Sequence, residues 1–97
     1  MTISVRNDNG VVTITLGNSF DFESIDSFRS AYVNNPSVNY QVDFRNTDYM
    51  ESSGLGMLLN MLRYFGDGNV SIKLINCRPQ ILKVLKISNF QRKFEIK

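Results

Sequence analysis

Residues 40–65 read YQVDFRNTDYMESSGLGMLLNMLRYF, and three consecutive patterns in this stretch indicate the fold. Residues 40–44 alternate apolar and polar side chains as in a strand, and the polar loop RNTDYME follows. From Ser52 onward, apolar residues recur at helical spacing until Gly66 ends the pattern: Leu55, Leu58, Leu59, Leu62 and Phe65. The stretch therefore predicts a strand, a polar loop and a helix whose leucine face forms core.

The rest of the chain repeats this alternation of strands and helices. Residues 3–16 predict a β-hairpin around an Asn-Gly turn, and residues 70–75 predict a further strand. A first helix, over residues 21–33, carries four apolar residues at helical spacing: Phe22, Ile25, Phe28 and Tyr32. Pro79 stands at the first turn of a third helix, and FEI near the C-terminus allows a last short strand. The order ββαβαβα predicts an α/β domain, with a mixed sheet of four to five strands and helices packed over it.

The composition is that of one compact domain, residues 1–97. Hydrophobic residues make up 42% of the chain, which suffices for one core. The chain has no run of 18 or more apolar residues, and its first ten residues lack the basic and apolar segments of a secretory signal. We therefore expect a cytoplasmic protein that does not enter the membrane. The single cysteine, Cys77, fits a reducing compartment and excludes an internal disulfide.

Charge is distributed unevenly along the chain. The net charge of +2 combines −4 over residues 1–51 with +6 over residues 52–97. A basic half attracts nucleic acid when its charges cluster, but these lysines and arginines are spread over several predicted elements. We therefore expect ordinary solvated faces and no direct nucleic-acid partner.

The residue types present exclude the common catalytic machineries. The chain has no histidine, so a serine triad lacks its base, and no lysine lies near Ser52 or Ser53 in sequence to replace it. GLGMLL at residues 54–59 lacks the third glycine of a dinucleotide fingerprint, and the sequence has no Gly-Lys-Ser/Thr phosphate loop. The sequence therefore predicts a protein that is not an enzyme and needs no cofactor.

Four acids make a metal site an alternative. Asp21, Asp43, Asp48 and Glu51 stand near predicted strand ends or helix starts, where oxygen ligands can hold a divalent cation. Helix capping by Asp21 and turn formation by Asp48 are commoner roles for such residues, so we expect no metal.

Ser52 and Ser53 lie at the predicted start of the long helix. Unpaired N–H groups and the helix dipole create a positive pole there, and either serine can cap the helix. The sequence lacks a reciprocal capping box, and the glycines at 54 and 56 weaken the first turn by about 1 kcal/mol each relative to alanine. The small residues leave the backbone open to another molecule or to a phosphate on Ser52. From the residues alone, capping is the leading interpretation and phosphorylation the second.

Met57, Met61 and Tyr64 follow one another at helical spacing on a flank away from the leucine face. Most apolar helix residues are structural, which favours core packing for this flank. Methionine side chains adapt to varied partners, so a partly exposed partner-binding surface is the alternative.

Three segments resemble the STAS domain family, and especially its stand-alone bacterial anti-sigma factor antagonists. VVTITLGNSFD (residues 11–21) resembles the opening strand, glycine and aspartate of that family. Residues 40–59 resemble its central strand, loop and Asp-Ser-Ser-Gly-Leu-Gly signature, and residues 70–96 resemble its closing strand, helix and strand. The resemblance implies a STAS-like fold over almost the whole chain.

The resemblance also implies a switch protein. Members of the family bind an anti-sigma factor, often also a serine kinase, and so release a sigma factor. Phosphorylation of the first serine of the signature abolishes that binding, and a metal-dependent serine phosphatase restores it. By motif position the phosphoacceptor is Ser52, and its neighbourhood includes Asp21, Glu51, Ser53 and Gly54.

Two departures from the family pattern concern the partner. Glu51 stands where the family usually has aspartate, and GNSFD carries an extra residue before Asp21. Some relatives act on other regulatory partners, including response-regulator phosphatases and motility or biofilm outputs. The remaining alternatives are a small-ligand or nucleotide sensor, with an anion held at the helix start, and a dimerisation domain that pairs through the methionine flank.

Overall fold

The computed structural model describes residues 3–66 and 68–97. Its central element is a mixed five-stranded sheet. The strands are, in chain order, β1 (Ser4–Asp8), β2 (Val11–Thr15), β3 (Ser19–Phe20), β4 (Asn39–Asp43), β5 (Tyr49–Met50), β6 (Ser71–Ile75) and β7 (Glu95–Ile96). The large sheet has the order β1-β2-β4-β6-β7, in which β1 is antiparallel to β2 and the other neighbours are parallel. The predicted fold class is confirmed, including the last short strand.

The turn between β1 and β2 follows directly from its two residues. Asn9 and Gly10 both adopt positive φ angles, 52° and 87°, as a tight two-residue hairpin turn requires. Glycine reaches this conformation without a side-chain clash, and asparagine is one of the few other residues that tolerate it. The hairpin predicted from the Asn-Gly pair is confirmed.

Three helices, α1 (Ile25–Val33), α2 (Ser52–Phe65) and α3 (Pro79–Ile87), pack over one face of the sheet. Alternate residues of β2, β4 and β6 point into this layer and are buried: Val12, Ile14, Tyr40, Val42, Ile72 and Leu74. Aromatic rings continue the core among the helices, with Phe20 and Phe28 in edge contact at 5.0 Å between ring centres. None of the helices within residues 3–66 and 68–97 is both long and apolar enough to cross a membrane.

The first helix begins later than the sequence pattern predicts. A 3₁₀ turn, Phe22–Ser24, precedes α1. Phe28 and Tyr32 are buried, whereas Phe22 and Ile25 are exposed. A 3₁₀ turn has three residues per turn instead of 3.6, so it changes the direction in which its side chains point relative to the helix that follows. The apolar face predicted for this helix is therefore only half correct.

The segment predicted as a polar loop between β4 and α2 contains β5, which pairs in parallel with β3. The Asn18 carbonyl accepts hydrogen bonds from two backbone N–H groups of this segment, at 2.8 and 3.2 Å. The buried Thr47 hydroxyl donates to the Gly17 carbonyl at 2.8 Å. Strands of two residues show no alternation that a sequence pattern can detect. Their pairing places the segment before α1 against the start of α2.

Candidate functional site

The start of α2 is held in place by β3. The Glu51 N–H donates to the Phe20 carbonyl at 3.1 Å, and the Gly54 N–H donates to the Glu51 carbonyl at 2.9 Å. Glu51 is in an extended conformation, so the helix begins abruptly at Ser52. The first N–H groups of an α-helix have no intrahelical acceptor and make this end of the helix electropositive.

The two serines of the motif differ in accessibility. Ser52 is exposed, whereas the Ser53 hydroxyl oxygen is buried and has no hydrogen-bond partner among the described residues. The N-cap position belongs to Glu51, whose side chain makes no capping hydrogen bond. The capping role predicted for the serines is therefore wrong, because both residues already lie inside the first turn. Of the pair, Ser52 alone offers its hydroxyl to solvent.

The two glycines of the motif meet different surroundings. A Cβ on Gly54 would lie 2.7 Å from Met50 Cγ and 2.9 Å from the Phe20 carbonyl oxygen, closer than non-bonded atoms approach a Cβ. Glycine at 54 thus lets α2 approach β3 and β5 closely. A Cβ on Gly56 would meet nothing within 4 Å. The prediction that small residues leave the backbone open is confirmed at Gly56 and wrong at Gly54.

Asp21 follows β3 and Glu51 follows β5, so the pairing of these strands sets both acids at the same end of the small sheet as Ser52. The Asp21 carboxylate accepts hydrogen bonds from the Glu23 N–H at 3.1 Å and from the Ser19 hydroxyl at 2.6 Å. The first of these bonds caps the 3₁₀ turn, so the capping role predicted for Asp21 is confirmed.

Asp43 and Asp48, the other two acids considered as metal ligands, are bound to side chains other than those around Ser52. The buried Asp43 carboxylate accepts hydrogen bonds from Arg45 Nε at 2.8 Å and from the Asn76 amide at 3.1 Å. Asp48 forms an ion pair with Arg78. Within residues 3–66 and 68–97, no three acidic or cysteine side chains are grouped so that they could hold a metal ion.

The methionine flank of α2 belongs to the core. Met57 and Met61 are buried, and Tyr64 is half exposed with its ring centre 5.3 Å from that of Tyr32. Core packing is thus confirmed for both methionines, which lie in one buried cluster with residues of α1 and the sheet. The partly exposed surface considered as the alternative is absent at these two residues, and the role in partner binding stays a prediction that exposure supports only at Tyr64. The leucine face also forms core as predicted: Leu58 is fully buried, and the other three leucines are partly buried and pack against the core.

An open cleft of about 460 Å³ adjoins the exposed serine and is lined by Phe22, Tyr49, Met50, Glu51, Ser52 and Ser53. We call it the Ser52 cleft. Phe22 and Tyr49 are 64% and 57% exposed, so both rings face solvent. The sequence pattern missed this cleft because it places Phe22 on the apolar face of the first helix. An aromatic residue within a polar loop, Tyr49, is the one sequence signal that pointed to it.

Comparison with known sequences identifies the family. The STAS domain family model matches residues 2–97. A STAS-domain containing protein of Pseudomonas aeruginosa (strain UCBPP-PA14) is 43% identical over 91 residues, which cover 92% of this chain and 90% of the relative.

Solved structures that share the fold include anti-sigma factor antagonists. One from Mycobacterium paratuberculosis has a TM-score of 0.84 at 13% identity, covering 98% of this chain and 83% of that chain. The unphosphorylated form of the anti-sigma factor antagonist SpoIIAA has a TM-score of 0.75 at 21% identity, covering 99% of this chain and 87% of its own. The phosphorylated form of SpoIIAA, a Bacillus cell fate determinant, has a TM-score of 0.73 at 19% identity, covering 99% and 91%. These structures establish the shared fold, and the sequence matches establish that this chain belongs to the STAS domain family.

Proposed function

We propose that this protein is a phosphorylation-controlled anti-sigma factor antagonist that acts in the cytoplasm and has no catalytic activity of its own. In this proposal it binds an anti-sigma factor or a regulatory serine kinase when Ser52 is unphosphorylated, and it releases that partner when Ser52 carries a phosphate. A serine kinase adds the phosphate, and a metal-dependent serine phosphatase removes it. Membership of the STAS family and a fold shared with anti-sigma factor antagonists support the proposal.

The observation that carries the proposal is the position of the Ser52 hydroxyl. It is exposed at the first residue of α2 and borders an open cleft, while the neighbouring Ser53 hydroxyl is buried. A kinase can transfer a phosphate only to a hydroxyl that its active site can reach. The difference in exposure therefore supports Ser52, and not Ser53, as the acceptor.

A phosphate on Ser52 would change the surface more than the fold. It would carry close to two negative charges, which the N–H groups of the first turn favour. No side-chain cap competes for those groups. Glu51 and Asp21, at the same end of the small sheet, would repel the phosphate. Because these effects oppose one another and Ser52 is exposed, we expect a small change in stability and a large change in partner binding.

The test uses the purified wild-type protein, Ser52→Asp, Ser52→Ala and the control Ser53→Ala to capture partners from cells that encode the protein. The captured partner is identified by mass spectrometry, purified and titrated calorimetrically. We expect Ser52→Asp to bind at least about tenfold more weakly than wild type, and both alanine variants to keep wild-type affinity. Circular dichroism checks that the variants are folded.

Two results would contradict the proposal. One is a Ser52→Asp variant that is folded and binds the partner as tightly as wild type. The other is a phosphosite map of the protein from cells that places the phosphate on another residue and leaves Ser52 unmodified under every growth condition.

A further inference from the structure

Large apolar side chains stand in solvent around the exposed serine. Phe22 and Tyr49 line the Ser52 cleft, and Ile25, three residues after Phe22, is 46% exposed. None of the three belongs to the buried core cluster, and Ile25 borders a separate shallow groove that Phe28 and Met57 also line. Burial of such side chains stabilises a fold, so leaving Phe22 and Tyr49 exposed in the same cleft does not stabilise the isolated protein. Their exposure indicates a surface that another molecule covers.

The same region carries negative charge that the protein does not neutralise. Asp21, Glu23, Asp26 and Glu51 lie in the segments that flank the cleft, and within residues 3–66 and 68–97 none of them forms an ion pair. The fifth acid of these segments, Asp48, is already paired with Arg78. A partner that covers the cleft therefore meets the two aromatic rings beside the Glu51 carboxylate, with three further acids in the segment that follows β3. Complementary charge on that partner is positive.

We propose that the Ser52 cleft is a docking pocket for an apolar side chain carried on a lysine- or arginine-rich segment of the partner protein. The proposal rests on the proposed function and names the chemistry of the surface that the partner presents. Aromatic side chains at the centre of an interface, enclosed by polar groups, supply most of the binding energy in many complexes. Phe22 and Tyr49 take that central position here.

The pocket also gives the phosphate a direct way to act. Ser52 lines the same cleft as both aromatic rings, so a phosphate on its hydroxyl would take up the space that the apolar side chain needs. A dianion buried beneath an apolar side chain would also lose its hydration. Release would then follow from occupation of the pocket and from the cost of desolvating the phosphate, even though the partner segment is basic.

The acidic surroundings also decide between classes of occupant. The unpaired carboxylates would repel anionic lipid headgroups. A membrane surface is therefore an unfavourable occupant of the Ser52 cleft. A second copy of the chain as the occupant would make the protein self-associate through the cleft.

The test selects peptides from a random library displayed on phage against the immobilised wild-type protein, with the Phe22→Ser variant used to remove non-specific binders. We expect the selected peptides to share an apolar residue flanked by lysine or arginine. Their affinity, measured by fluorescence polarisation, should fall at least about tenfold for Phe22→Ser and for Tyr49→Ser. The matched controls Val38→Ser and Ile87→Ser change exposed apolar residues outside the cleft and should keep wild-type affinity.

Several outcomes would overturn the inference. The selected peptides could be neutral or acidic, or the selection could give no peptide that binds wild type better than Phe22→Ser. The third outcome is that Phe22→Ser and Tyr49→Ser are folded and bind the peptides as tightly as wild type. Self-association in analytical ultracentrifugation that is lost in Phe22→Ser would assign the pocket to a second copy instead.

If Ser52→Asp abolishes partner capture while the aromatic variants bind normally, the inference fails and the proposed function stands. If the aromatic variants lose binding while Ser52→Asp retains its partner, the proposed function fails instead.

Discussion

Gly54 and Gly56 lie two residues apart in α2, yet a methyl group added at each should have opposite effects. At Gly54 it would press against Met50 and the Phe20 carbonyl, whereas at Gly56 it would stand in open space. We expect Gly54→Ala to lower the free energy of unfolding by about 1–3 kcal/mol through overpacking. Gly56→Ala should raise it by about 0.5–1 kcal/mol because alanine favours the helix. Urea denaturation measures both values, and two changes of the same sign would contradict this account.

Glu51 occupies the N-cap position of α2 without capping it. An aspartate side chain is one methylene shorter and is among the preferred N-cap residues. We expect Glu51→Asp to raise the free energy of unfolding by about 0.5–1 kcal/mol. Glu51→Gln, which keeps the length, should leave it within about 0.5 kcal/mol. Thermal denaturation of both variants provides the measurement, and an aspartate variant no more stable than the glutamine one would show that the N–H groups are satisfied in another way.

One side of α2 faces the core, and substitutions on opposite sides of the helix should therefore differ in their effect on stability. Met61 is fully buried within the core cluster, while the adjacent Asn60 is exposed. Met61→Ala should therefore lower the free energy of unfolding by about 2–5 kcal/mol, since it leaves a cavity. Asn60→Ala, the control one residue away, should stay within about 0.5 kcal/mol. Chemical denaturation of the pair tests which face is core, and a mild effect of Met61→Ala would restore the exposed interpretation of the methionine flank.

Elements were predictable from the sequence where their patterns were long and one-sided. Alternation identified β2, β4 and β6, and helical spacing identified all three helices. The buried face of α2 was predicted in kind but not in extent: leucines and methionines both contact the core, and periodicity alone could not show that Met57 and Met61 are more deeply buried than three of the leucines. β3 and β5 were missed because two-residue strands form only through their mutual pairing, and that pairing is a property of the folded chain.

The candidate site, like the secondary structure, was predictable from the sequence only in part. The motif and its resemblance to a family single out Ser52, but the exposure of Ser52 and the burial of the Ser53 hydroxyl depend on how α2 rests on the small sheet. The Ser52 cleft likewise depends on the β3–β5 pairing, which brings Phe22 and Tyr49 together from residues that are 27 positions apart. A sequence pattern can identify a residue type at a helix start, and only tertiary structure decides what surrounds it.

The folded molecule as a whole should be sensitive to alkaline conditions. Burial, with a contribution from the Asp43 charge, raises the pKa of the Cys77 thiol from 9.0 to about 11, and burial also raises the pKa of the Tyr32 and Tyr40 phenols. Between pH 9 and 11 the unfolded chain loses its thiol proton while the folded chain keeps it, so deprotonation favours unfolding.

We therefore expect the melting temperature to fall as the pH rises from 9 to 11 and the fall to be shallower in Cys77→Ser, which lacks the thiol. The two phenols should sustain part of the decline in that variant, because the pKa of each is also raised in the folded state. Differential scanning calorimetry of both proteins from pH 7 upward measures the two slopes. Identical slopes would mean that the thiol ionises as readily in the folded protein as in the unfolded chain, and that the packing around Cys77 gives it no protection from solvent.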